Sequence, residues 1–237
     1  MISVVIPAYN EEQTVGDVVR GVRGALSAMA SVAEPVEVIV VDGGSTDATA
    51  RMAQIAGATI LRRPHGGRGL ALRAGLAAAK GEILVLMNSD GQDLPSELPS
   101  LLRAFKSSGA DFVSGSRFMG TFREEGISPV DRWGNRALTG LANLLCGTHL
   151  SDINASYRVM RRSAVAGFGW RFEQFEGESE MILKAARAGL DVLEVPITRQ
   201  RRMGGVRKFR RLRHGLGILL TIFRTRFLWR PPRLPSS

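Results

Sequence analysis

The stretch HGGRGLALRAGLAAAKGEILVLMNSDGQD, residues 65–93, decides the fold. After a basic, glycine-rich loop, an Ala/Leu-rich segment at residues 68–79 predicts a helix that stops at Gly81. The apolar run that follows, residues 82–87, is typical of a parallel strand buried on both faces. A polar turn, residues 88–93, closes the run. A helix that leads into such a strand is part of a βαβ unit, so the stretch predicts an α/β fold with a parallel sheet.

Apolar runs alternate with helical patterns on both sides of this stretch. Further strands are predicted at residues 2–7, 36–41, 59–61, 111–114 and 191–196, and further helices at residues 14–29, 47–56, 98–107, 131–145 and 178–188. Ligands of parallel α/β sheets bind at the carboxyl ends of the strands. The polar residues that close the first, second and fourth strands are therefore candidate site residues. They are Tyr9, Asn10, Glu11, Asp42 and residues 88–93.

Length and composition exclude several classes of protein. The chain has 237 residues, 44% of them hydrophobic, which excludes a disordered protein and suffices for one domain. A single cysteine, Cys146, allows no disulfide within the chain and favours a reducing compartment. No basic segment precedes the first apolar run, so no secretory signal is predicted. No uncharged apolar stretch reaches the length of a transmembrane helix. We therefore expect a cytoplasmic protein.

Positive charge is concentrated at the C-terminal end. Glu194 is the last acidic residue, and residues 199–233 contain 12 of the 32 Lys and Arg residues. The remaining 20 cations face 22 anions, so the body of the chain is close to neutral. A cationic tail of this kind favours an anionic partner.

The segment KFRRLRHGLGILLTIFRTRFLW, residues 208–229, predicts a basic amphipathic helix. Its apolar residues at helical spacing are Leu212, Leu216, Leu219, Leu220 and Phe223. Only residues 215–223 lack a charge or a histidine, which is too short to span a bilayer. We expect the helix to lie on the inner face of an anionic membrane, as a peripheral contact. The alternative is that its apolar face packs on the body. The chain accordingly divides into residues 1–205 and a C-terminal extension, residues 206–237.

The turn at residues 88–93, NSDGQD, carries oxygen side chains spaced two apart. Such side chains can point at one hard cation, and Mg²⁺ or Mn²⁺ held in this way usually bridges substrate phosphates. The same residue types also favour turns that bind nothing, which is the structural alternative.

Two glycine-containing loops could likewise either bind a ligand or form turns that bind nothing. Glycines at residues 42–47 and 65–69 permit close backbone approach, and the helix N-terminus that follows each loop attracts an anion. The second loop suits a diphosphate but lacks the spacing of a P-loop. The alternative for the first loop is a tight turn in which Ser45 or Thr46 caps the next helix.

Five segments in this order resemble glycosyltransferase family 2, and within it the polyprenyl-phosphate hexosyltransferase branch. They are SVVIPAYNEEQTV (residues 3–15), VVDGGSTDAT (40–49), residues 65–95, GSRF (115–118) and SDINASYRVMRR (151–162). The resemblance covers residues 2–210. Two positions depart from the family pattern. Asn88 stands where the metal motif usually has its first aspartate. Gly43 stands where the turn after the second strand usually has its second aspartate.

The resemblance implies a GT-A fold, with a Rossmann-like, mostly parallel central sheet flanked by helices. It also implies an NDP-sugar donor, such as GDP-mannose or UDP-glucose, a divalent metal and inversion at the anomeric carbon. The residues that it places on the nucleotide sugar are Pro7, Tyr9, Asn10, Glu11, Asp42, Gly67, Arg68 and Asn88. Those that it places on the metal are Asn88, Asp90 and Gln92. The cations that it places on acceptor or donor phosphate are Arg117, Arg202 and Lys208.

The chemistry of sugar transfer suggests roles for the candidate catalytic residues. Cleavage of a sugar–diphosphate bond leaves negative charge on the diphosphate, which a metal at Asp90 and the guanidinium of Arg117 would stabilise. An alcohol acceptor would need a general base, for which Asp93 and Glu180 are candidates. A phosphate acceptor is already an anion and does not strictly need one.

We therefore predict a transferase that moves mannose or glucose to a polyprenyl phosphate. A family 2 enzyme acting on a soluble sugar or small alcohol is the alternative. Nucleic-acid binding by the arginine-rich tail is less favoured, because no recognition motif accompanies it.

Overall fold

The computed structural model describes residues 1–29, 34–119, 127–203 and 209–232. The strands are β1 (Ile2–Ala8), β2 (Val36–Asp42), β3 (Thr59–Arg62), β4 (Ile83–Leu86), β5 (Phe112–Ser116), β6 (Arg158–Arg161) and β7 (Val192–Pro196). The α-helices are α1 (Val15–Ser27), α2 (Thr49–Ile55), α3 (Arg68–Ala78), α4 (Leu98–Ser108), α5 (Pro129–Cys146), α6 (Arg162–Val165), α7 (Gly177–Arg187) and α8 (Arg211–Phe227).

The strands form one sheet in the order β3-β2-β1-β4-β6-β5-β7. All of its strands are parallel except β6, which runs antiparallel to both β4 and β5. Ile2 at the start of β1 lies opposite Val36 of β2 on one side and Ile83 of β4 on the other. This arrangement confirms the predicted α/β class with a mostly parallel sheet.

Helices cover both faces of the sheet, which explains why its central strands are apolar throughout. Val4 and Ile6 of β1 pack in the cluster that contains α1 and α4, whereas Val5 packs in the cluster on the other face, with α3 and α7. The helix α3 lies so close to the sheet that a Cβ atom added at Gly75 would be 2.8 Å from Cγ2 of Val41. The packing on both faces holds the carboxyl ends of β1 and β4 at a fixed separation.

Helix α8 packs beside α5 and α7. Its first turn is joined to that of α5 by an ion pair in which Arg211 Nε lies 2.9 Å from Asp131 Oδ1. Ile218 and Ile222 of α8 are buried in the core. A second set of apolar side chains, the α8 stripe, is exposed: Leu212, Leu216, Leu220, Phe223 and Phe227. Among the described residues, none of the helices is both long enough and apolar enough to cross a membrane.

Three elements of the fold were not predicted from the sequence. They are a 3₁₀ turn at Pro95–Glu97, the reversed strand β6 and the one-turn helix α6 that follows it. The predicted division of the chain between residues 205 and 206 lies outside the described residues.

Candidate active site

A cavity of about 1220 Å³ opens at the carboxyl ends of β1, β2 and β4. Its walls are completed by the first residues of α3 and by parts of α5, α7 and α8. The predicted site residues that line it are Pro7, Tyr9, Glu11, Gly67, Arg68, Asn88, Asp90, Gln92, Arg117 and Arg202. The sheet thus brings most of the candidates together, although they come from distant parts of the sequence.

The last residue of the turn after β4, Asp93, stabilises the turn. Its side chain is completely buried. Asp93 Oδ2 accepts hydrogen bonds from the backbone N–H of Asn88 at 3.1 Å and from Ser156 Oγ at 2.9 Å. Its other oxygen pairs with Arg199 Nη1 at 2.8 Å. Asp93 therefore fixes the shape of the turn, and it is not among the residues that line the cavity.

Each of the three predicted metal ligands contacts an arginine. The pairs are Arg68 Nη2 with Asn88 Oδ1 (2.7 Å), Arg202 Nη1 with Asp90 Oδ2 (3.1 Å) and Arg199 Nη2 with Gln92 Oε1 (2.8 Å). The guanidinium of Arg202 also pairs with Glu11 Oε1, so that Glu11 and Asp90 share one cation. Two carboxylates from the loops that follow β1 and β4 therefore converge on a single positive charge.

This donor set fits a divalent ion that arrives with a diphosphate. Within the described parts of the chain, no group of three or more His, Cys, Asp and Glu side chains could hold a metal by itself. Mg²⁺ and Mn²⁺ sites on phosphate substrates commonly use only one or two carboxylates, with the phosphates supplying further oxygens. Asp90 and Glu11 provide carboxylates of this kind, and both are buried enough to exclude much of the water.

The arginine of the GSRF segment is fixed by a buried carboxylate. Arg117 pairs with Asp152 through two contacts, Nε to Oδ2 at 2.6 Å and Nη2 to Oδ1 at 2.8 Å. Burial alone would raise the pKa of Asp152, but the ion pair with Arg117 keeps that pKa below its ordinary value. Burial alone would lower the pKa of Arg117, but Asp152 raises it. Both groups are therefore charged, and Arg117 is a permanent cation in the cavity wall.

The first turn of α7 contains an acidic cluster of two residues, Glu178 and Glu180, which have different environments. Glu178 lines the cavity and pairs with Arg68. Glu180 instead accepts a hydrogen bond from the backbone N–H of Arg171 at 2.9 Å and pairs with Lys184 at 2.5 Å. Residues two apart on a helix point in nearly opposite directions, so only one of these carboxylates can face the cavity. Of the two predicted base candidates, neither Glu180 nor Asp93 lines the cavity.

The end of the cavity formed by β1 and β2 is lined by Tyr9, whose ring centroid lies 4.5 Å from that of His65. Asn10 and Asp42 stand behind this wall rather than in it. Asn10 Oδ1 accepts from the backbone N–H of Thr46 at 2.9 Å, and Asp42 Oδ1 accepts from that of Ser45 at 3.0 Å.

The predicted alternative in which Ser45 or Thr46 caps the next helix was wrong. Helix α2 begins at Thr49 without a side-chain cap, and Ser45 Oγ instead accepts from the backbone N–H of Asn10. Hydrogen bonds therefore connect the loop after β1 to the loop after β2. Lys208, the last predicted phosphate contact, lies outside the described residues.

The opposite end of the cavity contains a group of apolar side chains among charged and polar ones such as Asp131, Arg211 and Arg213. Its lining comes from α5 and α8, which contribute Val130, Trp133, Leu138, Leu212 and Ile218. Trp133 is 75% exposed and Leu212 is 91% exposed, so this end, the α5–α8 groove, opens at the protein surface. A single cavity therefore joins a charged end, rich in arginine and carboxylate, to a groove that contains a group of exposed apolar side chains.

The fold and the site together define a glycosyltransferase of the GT-A type. The chain belongs to glycosyltransferase family 2, since the model of that family (Glycosyl transferase family 2) matches residues 3–168. The predicted membership and the predicted GT-A fold are both confirmed. One solved structure with this fold is glucosyl-3-phosphoglycerate synthase from Mycobacterium tuberculosis in complex with Mn²⁺, UDP and glucosyl-3-phosphoglycerate. It is 23% identical, with a TM-score of 0.73, and the match covers 100% of this chain and 81% of that one.

Two curated relatives place the chain more closely within the family. It is 33% identical over 229 residues to polyprenol monophosphomannose synthase of Mycolicibacterium smegmatis, which covers 86% of this chain and 79% of the relative. It is 31% identical over 204 residues to low-salt glycan biosynthesis hexosyltransferase Agl6 of Haloferax volcanii, covering 86% of this chain. The chain spans only 48% of the length of that second relative. The chain is thus similar to the polyprenyl-phosphate hexosyltransferases of the family.

Proposed function

We propose that this enzyme transfers a hexose, mannose or glucose, from an NDP-sugar to a polyprenyl phosphate, with inversion and with Mg²⁺ or Mn²⁺. The observation that carries the proposal is the continuity of the cavity, whose charged end meets the apolar side chains of the α5–α8 groove. The charged end suits a donor diphosphate, and the α5–α8 groove suits a prenyl chain. The similarity to a polyprenol monophosphomannose synthase supports the same acceptor.

The donor would occupy the charged end. Tyr9 and Pro7 line the part of the cavity next to β2, where the nucleoside would lie, with Asn10 and Asp42 shaping the wall behind them. The diphosphate would lie against Arg68, at the N-terminus of α3, where Gly67 also lines the cavity. Asp90 and Glu11 would hold the metal, with the oxygens of Asn88 and Gln92 beside them. When bound, the metal supplies positive charge that stabilises the departing nucleoside diphosphate.

The acceptor phosphate would lie against Arg117. Because Asp152 fixes the guanidinium through two hydrogen bonds, Arg117 offers a cation whose orientation does not change during the reaction. An acceptor phosphate is already anionic and needs no strong base, which agrees with the absence of Asp93 and Glu180 from the cavity lining. Lys208 remains a predicted second contact.

The prenyl chain would leave the site through the α5–α8 groove towards a membrane. Next to the groove lies the α8 stripe of exposed apolar side chains, and exposed arginines such as Arg213, Arg224 and Arg226 flank it. Each cation near an anionic leaflet contributes about 1 kcal/mol to adsorption. We propose that residues from 206 onwards form a peripheral contact with an anionic membrane surface. Residues 1–205 would carry most of the transferase site, to which α8 contributes the wall of the groove.

A second candidate function is transfer to a soluble acceptor that carries a hydroxyl group. One observation favours it: Glu178 lines the cavity and is placed beside Arg68, where a carboxylate could act as a general base. The apolar lining contributed by Val130 and Trp133 would then have no ligand to contact, which makes this the weaker candidate.

A matrix of donors and acceptors tests the proposal. GDP-mannose and UDP-glucose are each combined with a polyprenyl phosphate in detergent, with 3-phosphoglycerate and with a simple sugar, and products are identified by mass. We expect a glycosylated lipid phosphate as the main product, abolished by EDTA and by Asp90→Ala. The matched control is Asp17→Ala, because Asp17 pairs with Arg20 on the exposed face of α1. Turnover of the soluble acceptors alone would contradict the proposal.

A further inference from the structure

A segment after β7, residues 199–203, is fixed across the acidic turn. We call it the 199–203 strap. Its Gln200 N–H donates to the carbonyl of Gln92 at 3.1 Å, and Gln92 Nε2 donates to the carbonyl of Gln200 at 3.1 Å. Met203 packs on Gly91, where an added Cβ atom would lie 3.2 Å from the methionine sulfur. These contacts determine where the side chain of Arg202 points.

The side chain of Arg202 points between the two carboxylates that face each other in the cavity. Asp90 is 8% exposed and Glu11 is 5% exposed, so water screens their mutual repulsion poorly. Buried carboxylates that lack a cation are strongly unfavourable, and the guanidinium of Arg202 supplies that cation. Arg202 therefore occupies one oxygen of Asp90 that the proposed function assigns to the metal.

We propose that Arg202 is a displaceable counter-ion, which makes metal binding at Asp90 depend on the nucleotide. The inference rests on the proposed function. A divalent ion alone must compete with a guanidinium that is already held in place by the strap. A nucleoside diphosphate offers Arg202 another anionic partner, and Arg202 then leaves Asp90 to the metal. Because coupling between two ligands is reciprocal, the metal must strengthen nucleotide binding by the same factor.

Binding of Mn²⁺, measured by the electron paramagnetic resonance signal of the free ion, tests this without any turnover. We expect the wild-type chain to bind Mn²⁺ weakly alone and more tightly in the presence of UDP or GDP, after correction for Mn²⁺ held by the nucleotide itself. Arg202→Gln removes the competing charge, so it should bind Mn²⁺ alone about tenfold more tightly, and the enhancement by nucleotide should shrink correspondingly. Arg202→Lys, which keeps a cation on the strap, should remain closer to the wild type.

The matched control is Arg103→Gln, which removes one exposed arginine on α4 and should leave Mn²⁺ binding unchanged. Thermal melting of each variant verifies that it is folded. Equal Mn²⁺ affinity of the wild type and Arg202→Gln, with an unchanged effect of nucleotide, would overturn the role of Arg202 and leave the proposed function standing. Absence of Mn²⁺ binding to either protein, even with nucleotide, would instead overturn the metal site of the proposed function and this inference with it.

Discussion

The guanidinium of Arg117 and the carboxylate of Asp152 form a two-point ion pair in the wall of the cavity, with contacts of 2.6 and 2.8 Å. Asn135 Nδ2 donates to the same carboxylate at 2.8 Å, so Asp152 is itself held in place. A planar guanidinium that is bound on two nitrogens cannot rotate about its axis. The pair therefore defines the orientation in which Arg117 meets a phosphate.

Arg117→Lys should lower transfer to polyprenyl phosphate while leaving the chain folded. Lysine keeps the positive charge but contacts Asp152 at one point only, so the cation is no longer oriented. A misplaced cation of this kind reduces kcat/KM on the order of 10²-fold. Steady-state kinetics with lipid acceptor check this, with Arg103→Lys as the control. Unchanged kinetics would show that the two-point pairing is irrelevant to the reaction.

Asp152→Asn should destabilise the chain by about 3–5 kcal/mol, because it leaves Arg117 without its buried counter-charge. Urea unfolding at neutral pH measures the free energy of unfolding. The control Asp17→Asn, which affects an exposed pair on α1, should change that free energy by less than about 0.5 kcal/mol. Equal small effects of the two substitutions would contradict the importance of the buried pair.

The docking of α8 should weaken in mild acid through His214. Its Nδ1 accepts a hydrogen bond from the backbone N–H of Arg210 at 2.8 Å, and its ring contacts Phe175 and Phe209. Burial, and then the nearby Arg213, lower the pKa of His214 below 6.5, although Glu176 opposes them. The folded chain therefore resists protonation: the stability that neutral His214 contributes is complete above about pH 6.5 and is lost as the pH falls below that value.

Melting temperatures between pH 7.5 and 5.5 check this effect. The wild type should lose stability across the range, whereas His214→Phe, which keeps the ring contacts but cannot be protonated, should be less sensitive to pH. His149→Gln, at an exposed position, should behave like the wild type. An unaltered pH slope in His214→Phe would refute the assignment.

Gly75→Ala should lower stability by about 1–3 kcal/mol, because the added methyl group meets Val5 and Val41 of the sheet. Gly24→Ala is the matched control, since Gly24 lies in α1 with no atom within 4 Å of its added Cβ. That substitution should stabilise the chain by about 0.5–1 kcal/mol through helix propensity. Chemical denaturation of both variants measures the free energy of unfolding, which should fall for Gly75→Ala and rise for Gly24→Ala. A stabilised Gly75→Ala would show that α3 can move away from the sheet.

A Leu216→Glu/Leu220→Glu variant should lose binding to anionic lipid vesicles without losing stability. Both leucines belong to the exposed α8 stripe and lie outside the core, so charge there opposes insertion while the core packing of Ile218 and Ile222 is kept. Vesicle co-sedimentation and thermal melting measure the two effects. Ile55→Glu is a control at an exposed apolar position on α2, away from the stripe. Wild-type binding by the double variant would exclude the stripe as the membrane contact.

Most of the parallel half of the sheet could be predicted, because its strands are continuous apolar runs that end in polar turns. Strand β6 was missed for a physical reason. Its first residue, Arg158, is completely buried, and burial lowers its pKa to about 10. With an arginine at each end, the four-residue strand RVMR lacks the continuous apolar run by which buried strands are recognised.

Residues of the site could be predicted where a polar motif directly follows a strand, as at Glu11 and Asp90. The partners of those residues could not, because the contacts join distant segments. Arg202 lies 112 residues from Asp90, and no local pattern indicates that they pair. The choice between Glu178 and Glu180 depends on the rotation of α7, which a short acidic cluster does not determine.

The opening of the α5–α8 groove beside the exposed α8 stripe has a kinetic consequence. An enzyme adsorbed through the stripe would reach its acceptor from within the leaflet and release its product into the same leaflet. Its rate should then follow the mole fraction of acceptor in the lipid surface rather than its bulk concentration. Dilution of the acceptor with inert phospholipid should slow turnover, even when the total amount of acceptor in the sample is unchanged.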